Sequence, residues 1–181
     1  MANEALRQLY EEDQADRIQQ PIDWMVVSKR DKDRRAEVRR LLSMGEFQDC
    51  WDYYWAAVVL IHSYETADLE SALELSCRAV ELDPQPLQIR ALYPVAKDRL
   101  LLSRGESQWY GTQKVVLNGD LVLAPIDLDA VTDEERTAMG VLTLAERHRE
   151  INRINRARAE QRRREASSRH SQSRDDLGEG T

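Results

Sequence analysis

The stretch "WDYYWAAVVLIH", residues 51–62, is aromatic or aliphatic throughout except for one acid and a closing histidine. At 3.6 residues per turn, such a run points apolar side chains in nearly every direction. It predicts a helix over 47–63 that belongs at the centre of a domain, with other helices around it. On that helix Trp51, Trp55, Val58 and His62 fall at i, i+4, i+7 and i+11, so His62 shares the face of two tryptophans.

The flanking segments supply the surrounding helices. Residues 3–19 place Leu6, Leu9 and Tyr10 on one face, and Pro21 stops the run. Residues 32–44 carry Val38, Leu41 and Leu42, with Gly45 suited to the C-cap. Between them "PIDWMVVSKRD" reads as a linker anchored by Trp24 and Met25. A fourth helix is predicted over 67–82, with Leu69, Ala72, Leu73, Ala79 and Val80 inward, and a fifth over 86–104. Pro86 fits the fifth helix's first turn, Gly105 fits its C-cap, and Pro94 should kink or break it. "SALELSCRAVELDPQP" resembles half of a tetratricopeptide repeat, but with no second copy it reads as part of an ordinary helix hairpin.

The pattern changes at "KVVLNGDLVLAP", two short β-prone runs around Asn118-Gly119, a strong hairpin signal. Thr132 with Glu135, and Thr143 with Glu146, are capping boxes; the first opens a short helix that Gly140 closes and the second a long one. The long helix has a weak stripe, Leu144, His148 and Ile151, that dissolves into "SSRHSQSRDDLGEGT". The fold expected is mainly α, an orthogonal bundle of five to six helices with one small β-hairpin and a disordered basic C-terminal tail. Residues 1–150 form the helical domain with the hairpin near 114–124, residues 151–165 extend the last helix, and residues 166–181 form the tail.

Charge is divided unevenly. Ten arginines face six acids over residues 146–176, a net of +4, whereas residues 1–145 carry 16 basic and 26 acidic groups, a net of −10. An acidic body repels phosphate backbones, which argues against nucleic acid as its partner. The Arg-rich tail leaves nucleic acid or an acidic partner open, although its interleaved acids also suit a solvated helix with i,i+4 pairs. No apolar run reaches the roughly 18 residues of a membrane span, and the acidic N-terminus has no signal-peptide core. Cys50 and Cys77 lack Cys-x-x-Cys spacing, so two buried free thiols in a reducing cytoplasm are expected; a disulfide, or a metal pair with His62, is the alternative. No metal or cofactor motif is present, and none is expected.

Polar residues that continue apolar stripes are the informative ones, because an unpaired polar group costs free energy when buried. The first helix runs from Leu6, Leu9 and Tyr10 to Asp13 and Arg17, which are i,i+4 partners and equally suit a surface bridge. Ala91, Val95, Asp98 and Leu102 place Asp98 inward, with Arg99 about 100° round the helix. His62, Arg17 and the donors of the loop "QWYGTQ", residues 108–113, are its candidate partners. In that loop Gly111 serves a turn, whereas Gln108, Tyr110, Thr112 and Gln113 carry more hydrogen-bonding capacity than a turn needs.

These residues resemble a bacterial family of unknown function. Its marks appear here as "EDQADR" (Glu12 to Arg17), "LIHS" around His62, "KDRLLLSRGESQWYGTQ" from Lys97 to Gln113, and "DEERTAMGVLTLAE". Residues 21–33 depart from it in being poor in Gly-Trp-Pro-type residues. The resemblance spans roughly residues 5–150; it implies a mostly helical domain with important polar positions, and it implies no reaction.

Two functions follow as expectations. One is a cytoplasmic, non-enzymatic interaction or ligand-binding module with an internal polar cluster, its partner an unknown small ligand or protein. The alternative is a small-molecule enzyme in which His62 is the base and Asp98 orients it. Asp13, Arg17, Arg99, Gln108, Tyr110, Thr112 and Gln113 are the candidate ligand-binding residues, with Arg17 or Arg99 holding an anionic group.

Overall fold

The computed structural model describes residues 2–178, with side chains described through residue 165. The chain is mainly helical with one two-stranded hairpin, as its sequence predicts. In order, the described elements are α1 (Glu4–Ile18), α2 (Trp24–Ser43), α3 (Cys50–Leu60), α4 (Thr66–Leu82), α5 (Leu87–Ser103), β1 (Lys114–Leu117), β2 (Asp120–Leu123), α6 (Asp133–Ala138) and α7 (Leu144–Gly178). The expectation of a disordered tail over 166–181 falls on side chains, and for 179–181 on backbone, outside the described residues.

Helix α3 occupies the centre and packs against α1, α2, α4 and α5. Ala56, Ala57 and Leu60 are fully enclosed, and Leu6, Val38, Leu41, Ala72, Leu75, Leu92 and Ala96 close around them from the other four helices. Burial of one such leucine contributes about 2 kcal/mol, so this cluster is the main source of stability. The aromatic N-terminal half of α3 is less enclosed: Trp51, Tyr54 and Trp55 are half-buried, Trp51 packs against the other two, and these two meet Tyr10 of α1. The starts of α1 and α3 are joined by Asp52, whose carboxylate accepts the Asn3 N–H at 2.6 Å and the Gln48 and Asp49 N–H groups at 3.0 Å.

The linker and its two anchors are corrected. Residues 24–31 are the first two turns of α2, not a linker. The Asp23 carboxylate accepts the N–H groups of Met25 and Val26 at 3.1 and 3.2 Å, which starts the helix, and Val27 falls in phase with Val38 and Leu41. Trp24 and Met25 are not anchors; they are 63% and 85% exposed. Pro94 does not break α5, which runs through it from Leu87 to Ser103.

Beyond α5 the chain turns at Gly105 (φ +75°) and reaches the hairpin, where Lys114 pairs with Leu123 and Leu117 with Asp120 around Asn118-Gly119. The Asn155 amide of α7 receives the Leu121 N–H and donates to its carbonyl, both at 2.8 Å, so α7 closes the β2 edge as a strand would. Both predicted capping boxes form, at Thr132–Glu135 and Thr143–Glu146. Cys50 and Cys77 are free and half-buried rather than buried. Burial pushes both thiols up, Cys50 to about 11, which keeps them protonated near neutral pH.

Candidate functional site

The predicted polar residues fall into two separate groups. The first is built on α5. Asp98, fully enclosed, accepts the N–H groups of Trp109 and Tyr110 on Oδ1 at 2.8 and 2.9 Å. Its Oδ2 accepts the Thr112 N–H at 2.9 Å and the Thr112 hydroxyl at 2.8 Å. From the other side Arg136 of α6, buried, donates to the carbonyls of Trp109 and Tyr110 at 2.9 and 3.3 Å. The loop is thus clamped, its N–H groups on a carboxylate and its carbonyls on a guanidinium.

Gln108 completes this group. It is fully enclosed; its Nε2 donates to the carbonyls of Gln113 and Ala124 at 3.0 and 2.9 Å, and its Oε1 accepts the Gln113 N–H at 2.8 Å. The side chain stands in for a strand between two segments. Tyr110 packs edge-on to Tyr93, and burial raises its phenol to about 12. Lys97 lies 4.1 Å over the Trp109 ring. Asp98, Gln108, Tyr110 and Thr112 are therefore occupied inside the fold. Gln113 alone of the loop's predicted residues opens onto a cavity, a smaller one of about 330 Å³ that also touches Tyr64, Arg99 and Lys114.

The second group joins α1 to α2. Arg17 Nη1 lies 2.8 Å from Asp13 Oδ1 but directs its N–H to the Asp13 carbonyl, also at 2.8 Å, so the side-chain contact is one of charge. Arg17 Nη2 donates to Asp31 at 2.9 Å, Arg34 donates to Asp31 at 2.6 Å and to Asp16 at 2.9 Å, and Arg30 donates to Asp16 at 2.6 Å. Asp13 is fully enclosed and Arg34 is 5% exposed, so the surface-bridge reading of Asp13 and Arg17 is replaced by a buried network. Burial alone would raise the Asp16 pKa; hydrogen bonds from Arg34 and Arg30 outweigh it and hold the carboxyl below its ordinary value. For Arg34, hydrogen bonds to Asp31 and Asp16 likewise outweigh burial and raise its pKa. A neighbouring set ties Asp68 to Arg35 at 3.4 Å, to Arg39, and to the Ser63 hydroxyl at 2.7 Å.

His62 belongs with this second group. It lies one residue past the C-cap of α3, with Nε2 3.4 Å from Asp13 Oδ2, so its carboxylate neighbour is Asp13, while the Asp98 contacts are with the loop. The predicted His62–Asp98 couple is not among the contacts formed. A cavity of about 630 Å³ opens beside this network, lined by Arg17, Asp31, Arg35, His62, Arg99 and a rim of Ile22, Trp24, Ser28 and Tyr64. Its volume is within the range of small-molecule sites. No group of three or more metal-ligating side chains occurs among the described residues.

Sequence reasoning did not single out Asp16, Asp31, Arg34, Arg35 or Asp68, and Arg136 entered it only as the arginine of the "DEERTAMG" segment. For Asp31 and Arg34 a signal existed: they fall at i+4 and i+7 from Val27 on the stripe that reaches Val38 and Leu41. No described helix is long and apolar enough to cross a membrane. No curated protein and no solved structure matches the chain. A family match covers residues 53–157, taking in His62, Asp98 and the loop and leaving α1 and α2 outside it. That span is more than half of the 181 residues, and the chain belongs to the family of unknown function DUF6624.

Proposed function

We propose that the protein is a non-enzymatic module that binds a small ligand in the cavity between α1, α2 and α5. The observation that carries this reading is the division of the polar residues: those around Asp98 are consumed by the fold, whereas Arg17, His62 and Arg99 line open space. A cavity of about 630 Å³ with convergent polar groups supports a ligand of metabolite size.

The test is a thermal-shift screen of a metabolite library against the wild type and Ser28→Trp. Ser28 is exposed on the rim and takes no part in the charge network, so tryptophan there fills the cavity and leaves the fold intact. At least one compound should raise the wild-type melting temperature and lose that effect in Ser28→Trp. If every stabilising compound acts equally on both, the cavity is not the binding site.

A second reading rests on His62. Its ring reaches the cavity while Nε2 approaches the enclosed Asp13, the arrangement of a base with an orienting carboxylate. It gives Asp13 the role first expected of Asp98. Turnover of a compound found in the screen, lost in His62→Gln with binding retained, is its signature.

A further inference from the structure

The larger cavity has a cationic floor and an aromatic rim, and its charges are not balanced. Asp31 is the one carboxylate among its lining residues, and Arg17 and Arg34 already occupy both of its oxygens. Arg35 shares Asp68 with Arg39. Arg99 differs from these. Among the described residues it is the cavity's one arginine without an ion-pair partner, and its buried Nε, like that of Arg35, finds no acceptor. A guanidinium kept half-buried without an anion is costly, because water is partly removed and nothing replaces it. Burial depresses its pKa; Tyr64 opposes this, and the nearby Arg17 charge adds a smaller depression.

The rim is equally unusual. Trp24 is 63% exposed and Tyr64 93% exposed, and both border this same cavity. Large aromatics left to solvent beside a concave polar site offer a flat apolar body a surface to lie on. An anion approaching this acidic protein meets repulsion over most of the body and attraction here.

We infer that the cavity receives a small molecule carrying an oxyanion, carboxylate or phosphate, on a flat apolar body. The oxyanion takes the forked N–H groups of Arg99, and the body lies against Trp24 and Tyr64. Two oxygens of a carboxylate or phosphate match the planar fork of a guanidinium, which a point charge such as lysine does not reproduce. The inference rests on the ligand-binding reading above and gives that ligand its chemical class.

The experiment is calorimetric titration of the full chain with benzoate, phenyl phosphate, inorganic phosphate and the neutral benzamide, in wild type, Arg99→Gln and Ser28→Trp. Benzoate or phenyl phosphate should bind the wild type at least roughly tenfold more tightly than benzamide, a ratio that one charge-assisted contact readily supplies. Inorganic phosphate should bind more weakly than phenyl phosphate, since it forgoes the rim. Arg99→Gln should remove the preference for the charged probes, and Ser28→Trp should abolish binding of all four. Equal binding of the charged probes to wild type and Arg99→Gln overturns the inference, as does their failure to bind the wild type at millimolar concentration. A neutral library compound that Ser28→Trp blocks and Arg99→Gln does not affect would overturn the oxyanion and leave the pocket standing. The absence of any compound blocked by Ser28→Trp removes both.

Discussion

Asp98 holds Thr112 twice: the same carboxylate oxygen accepts the Thr112 backbone N–H at 2.9 Å and its hydroxyl at 2.8 Å. With Trp109 and Tyr110 on the other oxygen, three of the loop's N–H groups converge on one enclosed charge. Asp98→Asn replaces one acceptor with an NH₂ that faces donors, and should cost about 3 kcal/mol of unfolding free energy. Thr112→Val removes only the hydroxyl and should cost about 1 kcal/mol, because the Thr112 N–H keeps its acceptor. Urea denaturation of both variants checks the order; equal losses would show that the carboxylate is not the organising group.

Much of this was legible in the sequence. The periodicity of Ala91, Val95 and Leu102 put Asp98 inward, and the donors of residues 108–113 were among its three candidate partners. What the sequence did not decide was which candidate it meets. A helical stripe fixes the direction in which a side chain points on its own helix, but not which other element comes to face it. His62, another candidate, instead faces Asp13. Asp13, Arg17 and His62 of the second group were legible too, but its α2 half was obscured by the linker reading. With residues 21–31 read as a linker, Asp31 lies off any helix and carries no signal, and Arg34, four residues before Val38, stands at the start of a stripe instead of interrupting one. Trp24 and Met25 reinforced that reading, because large apolar side chains suggest burial and here they are exposed.

The glycine of the loop has a packing role as well as a conformational one. Gly111 and Gly105 share nearly the same backbone, φ +74° and +75°. A methyl at Gly111 would come within 3.0 Å of a Leu144 methyl and 3.3 Å of an Ile126 methyl, whereas one at Gly105 meets nothing within 4 Å. Gly105→Ala should therefore cost about 1 to 2 kcal/mol, the left-handed penalty alone. Gly111→Ala should cost about 1 kcal/mol more for overpacking. Thermal unfolding of the pair separates the two contributions, since the shared strain cancels in their difference.

The α1–α2 network makes stability depend on pH in a stated direction. Asp16 titrates below the ordinary value of 3.8 because Arg34 and Arg30 outweigh its burial. A depressed carboxyl adds stability that is complete above the unfolded value and is lost as pH falls through the folded one. Stability should thus fall as pH drops below about 3.8, and Asp16→Asn should flatten that part of the acid limb while lowering stability at neutral pH. Unfolding free energies measured from pH 6 downward, near 25 °C, test this; an unchanged acid slope in Asp16→Asn would remove Asp16 from the network's energetics.

The central distinction is between arginines that hold the fold and an arginine kept for a ligand. Arg34, bonded to Asp16 and Asp31, belongs to the first kind; Arg99, which lines the cavity and has no ion-pair partner among the described residues, is the one proposed for the second. The most direct measurement is the unfolding free energy of Arg99→Met without any ligand. Methionine retains the apolar stem and discards the unpaired charge. The variant should equal or exceed the wild type, within about 0.5 kcal/mol on the low side. A loss of about 2 kcal/mol or more is incompatible with that distinction, and would make Arg99 a structural residue like Arg34.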